Sequence, residues 1–392
     1  MRILMVSDVY FPRVNGVSTS IETFRACLAA QGIEVRLVVP AYRGETGEPG
    51  IVRVPGRAVP RDPEDRLVSW SAMKTAVLTA AQDCDLVHIQ TPFAAHYSGL
   101  AAARKLGIPA IATYHTLFEE YFQYYAPWLP ARWLKAMARR VSRRQCNALD
   151  AIVVPSAAMA ERLAAYGVVR PCHVLPTGIP VANFSRGDGA AFRQRHGIDA
   201  KRPVALFVGR VAHEKNIAFL LQAFARTLVV RPDALFLVTG EGPALEELRV
   251  RTAELGLAQA VRFLGYLDRG TELPDCYAAA DAFVFASRTE TQGLVLLEAM
   301  AAGVPVLALS AMGTTDILGP RRGCLVPPED PEAFGLALAQ YFSHPEGRDQ
   351  LREEARNYAL EWSDGAMAAR LGNLYRQLAT APPATAALPV GV

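Results

Sequence analysis

Short apolar runs alternate with segments of helical periodicity along most of the chain. In the first half, the apolar runs predict buried strands at residues 3–6, 34–39, 86–89, 110–113 and 151–154. Helical patterns lie between them, for example at residues 18–30 and 98–106. Continuous apolar strands are typical of parallel sheets, because helices cover both faces of such a sheet. The alternation therefore predicts repeated βα units.

The pattern is interrupted near residue 176 and then begins again. Pro176, Gly178 and Pro180 signal a connection, and further apolar runs follow at residues 204–208, 235–238, 261–264, 282–285 and 304–308. We predict an α/β fold with two doubly wound, Rossmann-like domains that face each other across a cleft. The predicted parts are a first domain at residues 1–180, a second domain at 181–362, a final helix at 363–380 and a disordered tail at 381–392. Ligands of such sheets bind at the carboxyl ends of the strands.

Composition and charge narrow the class of protein. The chain has 392 residues, of which 20 % are charged, and this composition excludes a disordered protein. Positive charge is concentrated in the first half, where residues 1–180 contain 20 Lys and Arg against 14 Asp and Glu. This excess predicts an anionic surface or substrate for the first domain.

Cysteines and apolar segments indicate the compartment. The six cysteines are scattered, without a CxxC pair or zinc-ligand spacing, which is typical of a reducing compartment. Asp8 follows the first apolar run too soon for a signal peptide, and no apolar run approaches the ~20 residues that span a bilayer. We therefore predict a cytoplasmic protein whose contact with the inner face of a membrane is peripheral.

The strongest chemical signal is the block from Thr289 to Gly303, in which seven residues separate Glu290 from Glu298. The block follows a predicted strand and continues into a helix. Gly293 permits close approach of a ligand, and free amides at the helix start suit a phosphate. Glu298 can accept ribose hydroxyls and Glu290 can bind sugar hydroxyls, whereas the alternative is two solvated surface charges. The donor-binding residues that we assign here are Glu290, Thr291, Gln292, Gly293, Leu294 and Glu298.

A second signal follows the predicted strand at residues 204–208, where Gly209, Arg210 and Lys215 share one loop. When a glycosidic bond to a nucleoside diphosphate breaks, negative charge develops on the leaving group. Two fixed cations can stabilise that charge in place of a divalent metal. We therefore predict no metal and no cofactor, with the nucleotide sugar as substrate. The alternative is a helix-entry loop with two solvated bases.

Two further candidates follow predicted strands of the first domain. Gly16 lies in the turn after the first strand, and we predict Ser18 as the N-cap of the next helix, so that helix-start amides there can receive a phosphate. His115 lies just after the strand at residues 110–113, where it can bind a sugar hydroxyl or assist proton transfer. The alternatives are a structural turn and a packed core histidine.

Residues 117–147 combine aromatic and basic side chains. The first part is rich in aromatics, and residues 131–147 contain six bases and no acid. One predicted helical face carries Trp133, Leu134, Met137, Ala138 and Val141, with the bases largely opposite. Such a helix favours adsorption to an anionic membrane, although its apolar face could instead pack on its own sheet. The residues that we assign to membrane or acceptor contact are Tyr121, Tyr125, Trp128, Trp133, Arg139, Arg140 and Arg143.

Four of these motifs together resemble family 4 of the GT-B glycosyltransferases over about residues 1–375. They are the turn at Gly16, the segment at His115, the loop with Arg210 and Lys215, and the block from Thr289 to Gly303. The resemblance implies a retaining, metal-independent transfer in which Arg210 and Lys215 hold the diphosphate close to Gly16. It also implies that the departing phosphate takes the proton of the acceptor in a front-side attack, and that the last helix returns to the first domain.

The same resemblance implies roles for the remaining candidates. Glu298 would bind the ribose, Glu290 the donor sugar, and His115 the donor sugar near the reaction centre. The tyrosine, histidine and aromatic run at residues 114–130 are similar to diacylglycerol glycosyltransferases, and the turn at Gly16 is shared with lipid mannosyltransferases. These similarities imply hexose transfer from a UDP- or GDP-sugar to a lipid.

Other functions remain open from the sequence. A soluble or polysaccharide acceptor is the second choice, and a sugar-nucleotide epimerase or a nucleotide-binding protein without catalysis would use a similar fold. Nucleic acid is not predicted as a partner, because no nucleic-acid-binding motif accompanies the basic helix.

Overall fold

The computed structural model describes residues 1–13, 15–42, 47–59, 62–115 and 131–380. The chain forms two compact units. Unit 1 contains Met1–Gly178 and the C-terminal segment that begins at Asp364, and unit 2 contains Ile179–Ser363. The predicted tail at residues 381–392 lies outside the described residues, as do Tyr121, Tyr125 and Trp128.

Unit 1 is built on a parallel sheet. Its described strands are β1 (Arg2–Val6), β2 (Glu34–Pro40), β3 (Ile51–Val54), β4 (Gly56–Val59), β5 (Asp62–Val68), β6 (Leu86–Ile89), β7 (Ala110–Thr113), β8 (Ala151–Val154) and β9 (Cys172–Val174). Its described helices before the last are α1 (Gly16–Ala29), α2 (Trp70–Ala80), α3 (Ala94–Leu106), α4 (Ala131–Asn147) and α5 (Ala157–Ala165). The sheet has the order β3-β2-β1-β6-β7-β8-β9, and β4 and β5 form a separate antiparallel hairpin that the sequence pattern did not predict.

Alternation along β1 supplies both apolar cores of unit 1. Leu4 and Val6 belong to the core that α2 and α3 cover, whereas Ile3 and Met5 belong to the core that α1 covers. Since β1 pairs in parallel with both β2 and β6, the carboxyl ends of these strands lie at one edge of the sheet.

Unit 2 repeats this architecture. Its described strands are β10 (Val204–Val208), β11 (Leu235–Thr239), β12 (Val261–Gly265), β13 (Ala282–Phe285), β14 (Val306–Ala308) and β15 (Cys324–Leu325). Its described helices are α6 (Val181–Phe184), α7 (Gly189–Arg195), α8 (Ile217–Val230), α9 (Leu245–Glu254), α10 (Glu272–Ala278), α11 (Leu294–Ala301), α12 (Thr314–Leu318), α13 (Pro331–Ser343) and α14 (Arg348–Glu361). The sheet is parallel, in the order β12-β11-β10-β13-β14-β15, and β10, β11 and β13 are buried along their whole length.

The last described helix, α15 (Asp364–Thr380), belongs to unit 1. Met367, Leu371 and Tyr375 are buried in the same core as Ile3 and Met5 of β1. The predicted return of the final helix to the first domain is therefore observed. Together with the two parallel sheets, it confirms the predicted α/β fold of two Rossmann-like domains.

Candidate active site

The carboxyl edge of the unit 2 sheet is assembled from loops that pack backbone to backbone. The amide of Gly209, after β10, donates to the carbonyl oxygen of Thr239 at 3.1 Å, and the amide of Gly240, after β11, donates to Gly265 at 2.7 Å. A side chain at Gly240 would place its Cβ 2.0 Å from the carbonyl oxygen of Gly209. Since Gly240 also has a φ of +119°, glycine is required there.

Lys215 and Glu290 meet at this edge. Lys215 ends a 3₁₀ turn after β10, Glu290 lies in the loop after β13, and the Nζ of Lys215 forms an ion pair with the Oε1 of Glu290. Both side chains are partly buried, with exposed fractions of 20 % and 18 %. The hydroxyl of Ser287 joins the same two loops, because it donates to the carbonyl oxygen of Glu214 at 3.1 Å. One predicted phosphate-binding cation and one predicted sugar-binding carboxylate are thus in contact.

The loop from Glu290 to α11 is held by a third loop. Gly313, after β14, donates its amide to the carbonyl oxygen of Glu290 at 2.9 Å, and a Cβ at Gly313 would lie 2.1 Å from the carbonyl oxygen of Thr291. Gly293 has a φ of +91° and directly precedes α11, whose first amides have no partner within the helix. The predicted donor-binding residues of this loop are partly or fully buried: Thr291, Gln292, Gly293 and Leu294.

Glu298, in the middle of α11, is buried and doubly bonded. Its side chain is 2 % exposed, its Oε1 accepts a hydrogen bond from Nη2 of Arg269 at 2.5 Å, and its Oε2 accepts one from the hydroxyl of Tyr277 at 2.8 Å. The neighbouring carboxylate raises the pKa of Arg269, and burial raises the pKa of Tyr277 well above its usual range. Sequence reasoning missed both partners, since they lie on a different βα unit.

Arg210 is exposed beside Gly209 at the same edge. Among the described residues, no hydrogen bond or ion pair joins its guanidinium to Glu290 or Glu298. The structure therefore places Arg210 on the loop that the sequence predicts, without bringing it into contact with the two glutamates.

His115 lies at the carboxyl edge of the unit 1 sheet, after β7. Nε2 of His115 lies 2.9 Å from the side-chain amide oxygen Oε1 of Gln90. Because an amide oxygen only accepts, Nε2 donates the hydrogen bond and Nδ1 keeps the lone pair. Burial lowers the pKa of His115 to about 4, so the ring is neutral at neutral pH. Beside it, the hydroxyl of Thr91 donates to the carboxylate of Asp8 at 2.7 Å, and this carboxylate also accepts the amide of Ala95 at the start of α3.

A second buried histidine connects β7 to the last helix. Nδ1 of His88 lies 2.6 Å from the hydroxyl of Tyr375 in α15, and Nε2 lies 2.7 Å from the hydroxyl of Thr113 at the end of β7. Burial lowers the pKa of His88 to about 3. This chain of hydrogen bonds fixes the end of β7, two residues before His115.

At the predicted phosphate-binding turn after β1, the residue that caps the next helix is not the one that the sequence predicted. Asn15, not Ser18, caps α1, since the side chain of Asn15 accepts the amide of Ser18 at 2.9 Å. The prediction of Ser18 was wrong because Ser18 already lies within the helix, where its side chain is buried. Gly16 is the first residue of α1, it is exposed, and a Cβ at this position would have no neighbour within 4 Å. A ligand can therefore approach Gly16 closely.

Helix α4 does not bury its apolar residues as one face. Leu134 and Ala138 are 2 % exposed, whereas Trp133, Met137 and Val141 are 68 %, 49 % and 41 % exposed. The five residues share one side of the helix, as predicted, but the rest of unit 1 covers only Leu134 and Ala138 of them. The periodicity indicates which side of the helix carries the apolar side chains. The rest of unit 1 covers only part of that side, so the remaining apolar residues are exposed.

The basic side chains of α4 also divide into two groups. Arg139 lies over the ring of Tyr166 at 5.7 Å, and Arg143 packs against Gly167 in the turn after α5. Both contacts lie within unit 1, although Arg139 and Arg143 are exposed, as Arg140 is. At 100° per residue, Arg140 and Arg144 flank the exposed apolar residues, and Arg144 was not among the assigned membrane residues.

Next to α4 lies an exposed aromatic patch of Trp70, Phe93 and Tyr97. These side chains are 57 %, 56 % and 48 % exposed, and the rings of Trp70 and Tyr97 lie 5.3 Å apart. Gln145 of α4 donates to the hydroxyl of Tyr97 at 3.3 Å and to the carbonyl oxygen of Pro92 at 2.7 Å. The patch and α4 therefore form one continuous surface, which the sequence pattern did not predict.

Among the described residues, no three His, Cys, Asp or Glu side chains are arranged to hold a metal ion. In the same parts of the chain, no helix combines the length and the apolar character that a membrane crossing requires.

Family models match both units. Residues 14–183 match the model described as Glycosyltransferase Family 4, and residues 188–358 match the model described as Glycosyl transferases group 1.

Individual proteins show the same similarity. The chain is 34 % identical to the alpha-monoglucosyldiacylglycerol synthase of Streptococcus pneumoniae, over 79 % of this chain and 71 % of the relative. It is 31 % identical to the GDP-mannose-dependent alpha-mannosyltransferase of Mycolicibacterium smegmatis, over 92 % and 91 % of the two chains. Among solved structures, sucrose-phosphate synthase from Thermosynechococcus elongatus is similar with a TM-score of 0.76 and 22 % identity, over 96 % of this chain and 98 % of that one, and this likeness shows the fold alone.

Proposed function

Since the chain belongs to glycosyltransferase family 4, we propose that it is a retaining enzyme that transfers a hexose from a UDP- or GDP-sugar to a lipid acceptor. The observation that carries the donor half of this proposal is the ion pair of Lys215 and Glu290 at the edge that also holds Glu298. A cation for the diphosphate and carboxylates for the sugars are the groups that a nucleotide-sugar donor requires.

The proposed reaction breaks the bond between the anomeric carbon and a β-phosphate oxygen, and it forms a bond from that carbon to the acceptor oxygen. The acceptor proton passes to the departing phosphate. Lys215 and Arg210 stabilise the charge that develops on the diphosphate, and Glu290 binds the hydroxyls of the donor sugar. His115 is neutral, so it can contact a sugar hydroxyl without adding charge.

Two features support retention and metal independence. Both relatives are named for alpha products, and an α-linked nucleotide sugar gives an α product only when the configuration is retained. Lys215 supplies a fixed positive charge that can stabilise the leaving diphosphate in place of a metal ion. We expect the initial rate to be unchanged by excess chelator, and a loss of activity that Mg²⁺ or Mn²⁺ restores would contradict this part of the proposal.

The surface of unit 1 supports a lipid acceptor. Helices α2, α3 and α4 together contain nine Lys and Arg and no Asp or Glu. The same surface exposes Trp133 and Met137 on α4 and the aromatic patch of Trp70, Phe93 and Tyr97. Exposed apolar side chains among basic residues are typical of proteins that adsorb to anionic membranes. We place the enzyme in the cytoplasm, at the inner face of the membrane, and its six unpaired cysteines support that placement.

The donor and the reaction class can be tested together. UDP- and GDP-hexoses are incubated with liposomes that contain diacylglycerol, with soluble oligosaccharides, or alone, and the products are separated. We expect a glycolipid, formed only with liposomes, and its loss in Glu290→Gln. An epimerised nucleotide sugar in the sample without acceptor, or transfer to the oligosaccharide alone, would contradict the proposal.

Membrane binding is tested separately by flotation with liposomes. We expect binding to vesicles with phosphatidylglycerol but not to pure phosphatidylcholine, and weaker binding for Trp133→Ser and Arg140→Glu. The matched controls are Val229→Ser and Arg249→Glu, which alter exposed residues of unit 2. Equal binding of all four variants would show that α4 does not contact the membrane.

A further inference from the structure

Glu298 is a fully buried carboxylate, and the other polar side chains that are buried in the described residues of unit 2 are uncharged. Its neighbours on α11 are Leu297 and Ala299, both 0 % exposed, and α11 carries no other ionisable side chain. A carboxylate in such surroundings takes up a proton unless a positive group or hydrogen-bond donors stabilise its charged form. The identity of these partners therefore decides whether Glu298 is charged.

The partners come from one βα unit. Tyr277 of α10 bonds Oε2, and Arg269, in the loop between β12 and α10, bonds Oε1. Because burial raises the pKa of Tyr277, its hydroxyl stays neutral and adds no charge. The other ionisable residue of this part of α10 that faces inward is Cys276, and burial raises the pKa of its thiol to about 12.

No other cation of the described residues bonds this carboxylate. Helix α6 and strands β13 and β14, which pack against α11, carry no ionisable side chain. Helix α14 also packs against α11, but its Arg356 lies beside Gly303, beyond the end of α11. Asp275 of α10 bonds Arg195 and the amide of Asp188 instead. Arg269 is therefore the cation that neutralises Glu298.

The loop that carries Arg269 is rigid. The carboxylate of Asp268 accepts the amides of Gly270 and Thr271 at 3.0 Å each and the hydroxyl of Thr271 at 2.8 Å. These bonds close a turn around Arg269, whose side chain is 45 % exposed although it contacts a carboxylate that is 2 % exposed. One side of the guanidinium thus covers Glu298, and the other side is accessible.

We propose that Arg269 is a positioning residue for the donor, which holds the carboxylate of Glu298 in the orientation that accepts the ribose hydroxyls. This inference rests on the proposed function, because it assigns Glu298 to the ribose. The ribose diol bonds the lone pairs of the carboxylate that Arg269 and Tyr277 leave unused, and these two residues keep its rotamer. Arg269 needs no contact with the reacting atoms in this role.

The test measures binding of UDP or GDP, whichever the wild type binds more tightly, and of its 2′,3′-dideoxy analogue, by titration calorimetry. Arg269→Ala is expected to weaken binding of the normal nucleotide about ten- to a hundredfold at neutral pH, since one charge-assisted interaction is lost. Binding of the dideoxy analogue should be nearly unchanged, because that analogue does not use Glu298. Donor KM should rise in parallel, with little change in kcat.

Rescue by a conservative variant separates this role from a structural one. Arg269→Lys should restore most of the affinity, whereas Arg249→Ala, which alters an exposed arginine of α9, should leave the affinity unchanged.

Three results would overturn the inference. Arg269→Ala could bind the normal nucleotide as well as or better than the wild type, it could lose both nucleotides equally, or Arg269→Lys could bind no better than Arg269→Ala. If the wild type binds neither UDP nor GDP, the proposed function itself fails, and the inference about Arg269 fails with it.

Discussion

The carboxyl edges of the two parallel sheets share a topology but differ in chemistry. In unit 1, His115 and Gln90 form a neutral hydrogen bond at the edge, and His88 is neutral beneath it. In unit 2, the corresponding edge holds the ion pairs of Lys215 with Glu290 and of Arg269 with Glu298. Neutral donors and acceptors suit the hydroxyl groups of a ligand. In an ion pair, the cation can instead bind a diphosphate and the carboxylate can bind sugar hydroxyls. Topology therefore selects where a ligand binds, and residue type selects which ligand.

The largest expected effect comes from removing charge at the unit 2 edge. Lys215→Ala should lower kcat about a hundred- to a thousandfold, because one preorganised cation no longer stabilises the leaving diphosphate. Steady-state kinetics with the donor that the UDP- and GDP-hexose incubations select would measure this loss. Lys201→Ala, an exposed lysine of the same unit, is the control. Unchanged kcat in Lys215→Ala would show that the charged groups of the unit 2 edge do not act differently from the neutral groups of the unit 1 edge.

The neutral histidines of unit 1 predict sensitivity to acid. Burial lowers the pKa of His88 to about 3 and those of His96 and His115 to about 4, from 6.5. Between pH 6.5 and these values the unfolded chain binds more protons than the folded chain, so the free energy of unfolding decreases as pH falls. Each histidine contributes at most about 2 kcal/mol at about pH 5.

Asp8 opposes this trend, since burial raises the pKa of its carboxyl group and favours the folded state at low pH. We expect the free energy of unfolding of unit 1 to decrease between pH 7 and pH 5, by less than the sum of the three histidine contributions. Urea titrations followed separately for each unit, for example by hydrogen exchange, would measure it. Equal loss in unit 2 would show that the histidines are not its cause.

A smaller decrease in the free energy of unfolding is expected when the hydrogen bond that connects His88 to α15 is removed. Tyr375→Phe removes the hydroxyl that contacts Nδ1 of His88, and a buried polar atom without a partner costs about 1–3 kcal/mol. Tyr358→Phe is the matched control in unit 2, where the hydroxyl donates across 3.4 Å to the carbonyl oxygen of Asp316. Thermal unfolding of both variants would decide whether the Tyr375 bond is the stronger one.

The smallest expected effect concerns His115 itself. Its replacement by alanine should lower kcat about tenfold, which corresponds to about 1.4 kcal/mol for one hydrogen bond between neutral groups. Because the pKa of His115 lies at about 4, the wild-type pH profile of kcat/KM should show no step from this residue between pH 5 and pH 8. A step near pH 6.5 that disappears in His115→Ala would show instead that the unit 1 edge acts as a charged group.

The sequence predicted the fold and the location of the candidate site, but it did not predict which side chains contact each other within that site. Apolar runs identified the central strands, because a strand that is buried on both faces has no polar positions. The hairpin of β4 and β5 was missed, since it is short and mostly exposed and lacks that pattern. Glu290 and Glu298 could be found from their spacing after a strand. Arg269, which neutralises Glu298, could not, because contacts between different βα units leave no periodicity in the sequence.

The division of α4 has a similar cause. Helical periodicity placed Trp133 and Leu134 on the same side, but one is exposed and the other is buried. The boundary between them depends on how far the neighbouring elements of unit 1 extend, which is a property of tertiary packing. The capping of α1 was equally undetermined, because Asn15 and Ser18 are both good capping residues and only their geometry separates them.

The position of α15 has a consequence for protein synthesis. The core beneath Ile3 and Met5 is completed by Met367 and Leu371, which leave the ribosome after the whole of unit 2. Unit 2 is continuous in sequence, so it can fold while that apolar surface of the nascent chain is still uncovered. A chain that terminates early, before this helix, would present the surface permanently, and quality-control chaperones and proteases would bind it as an unfinished product.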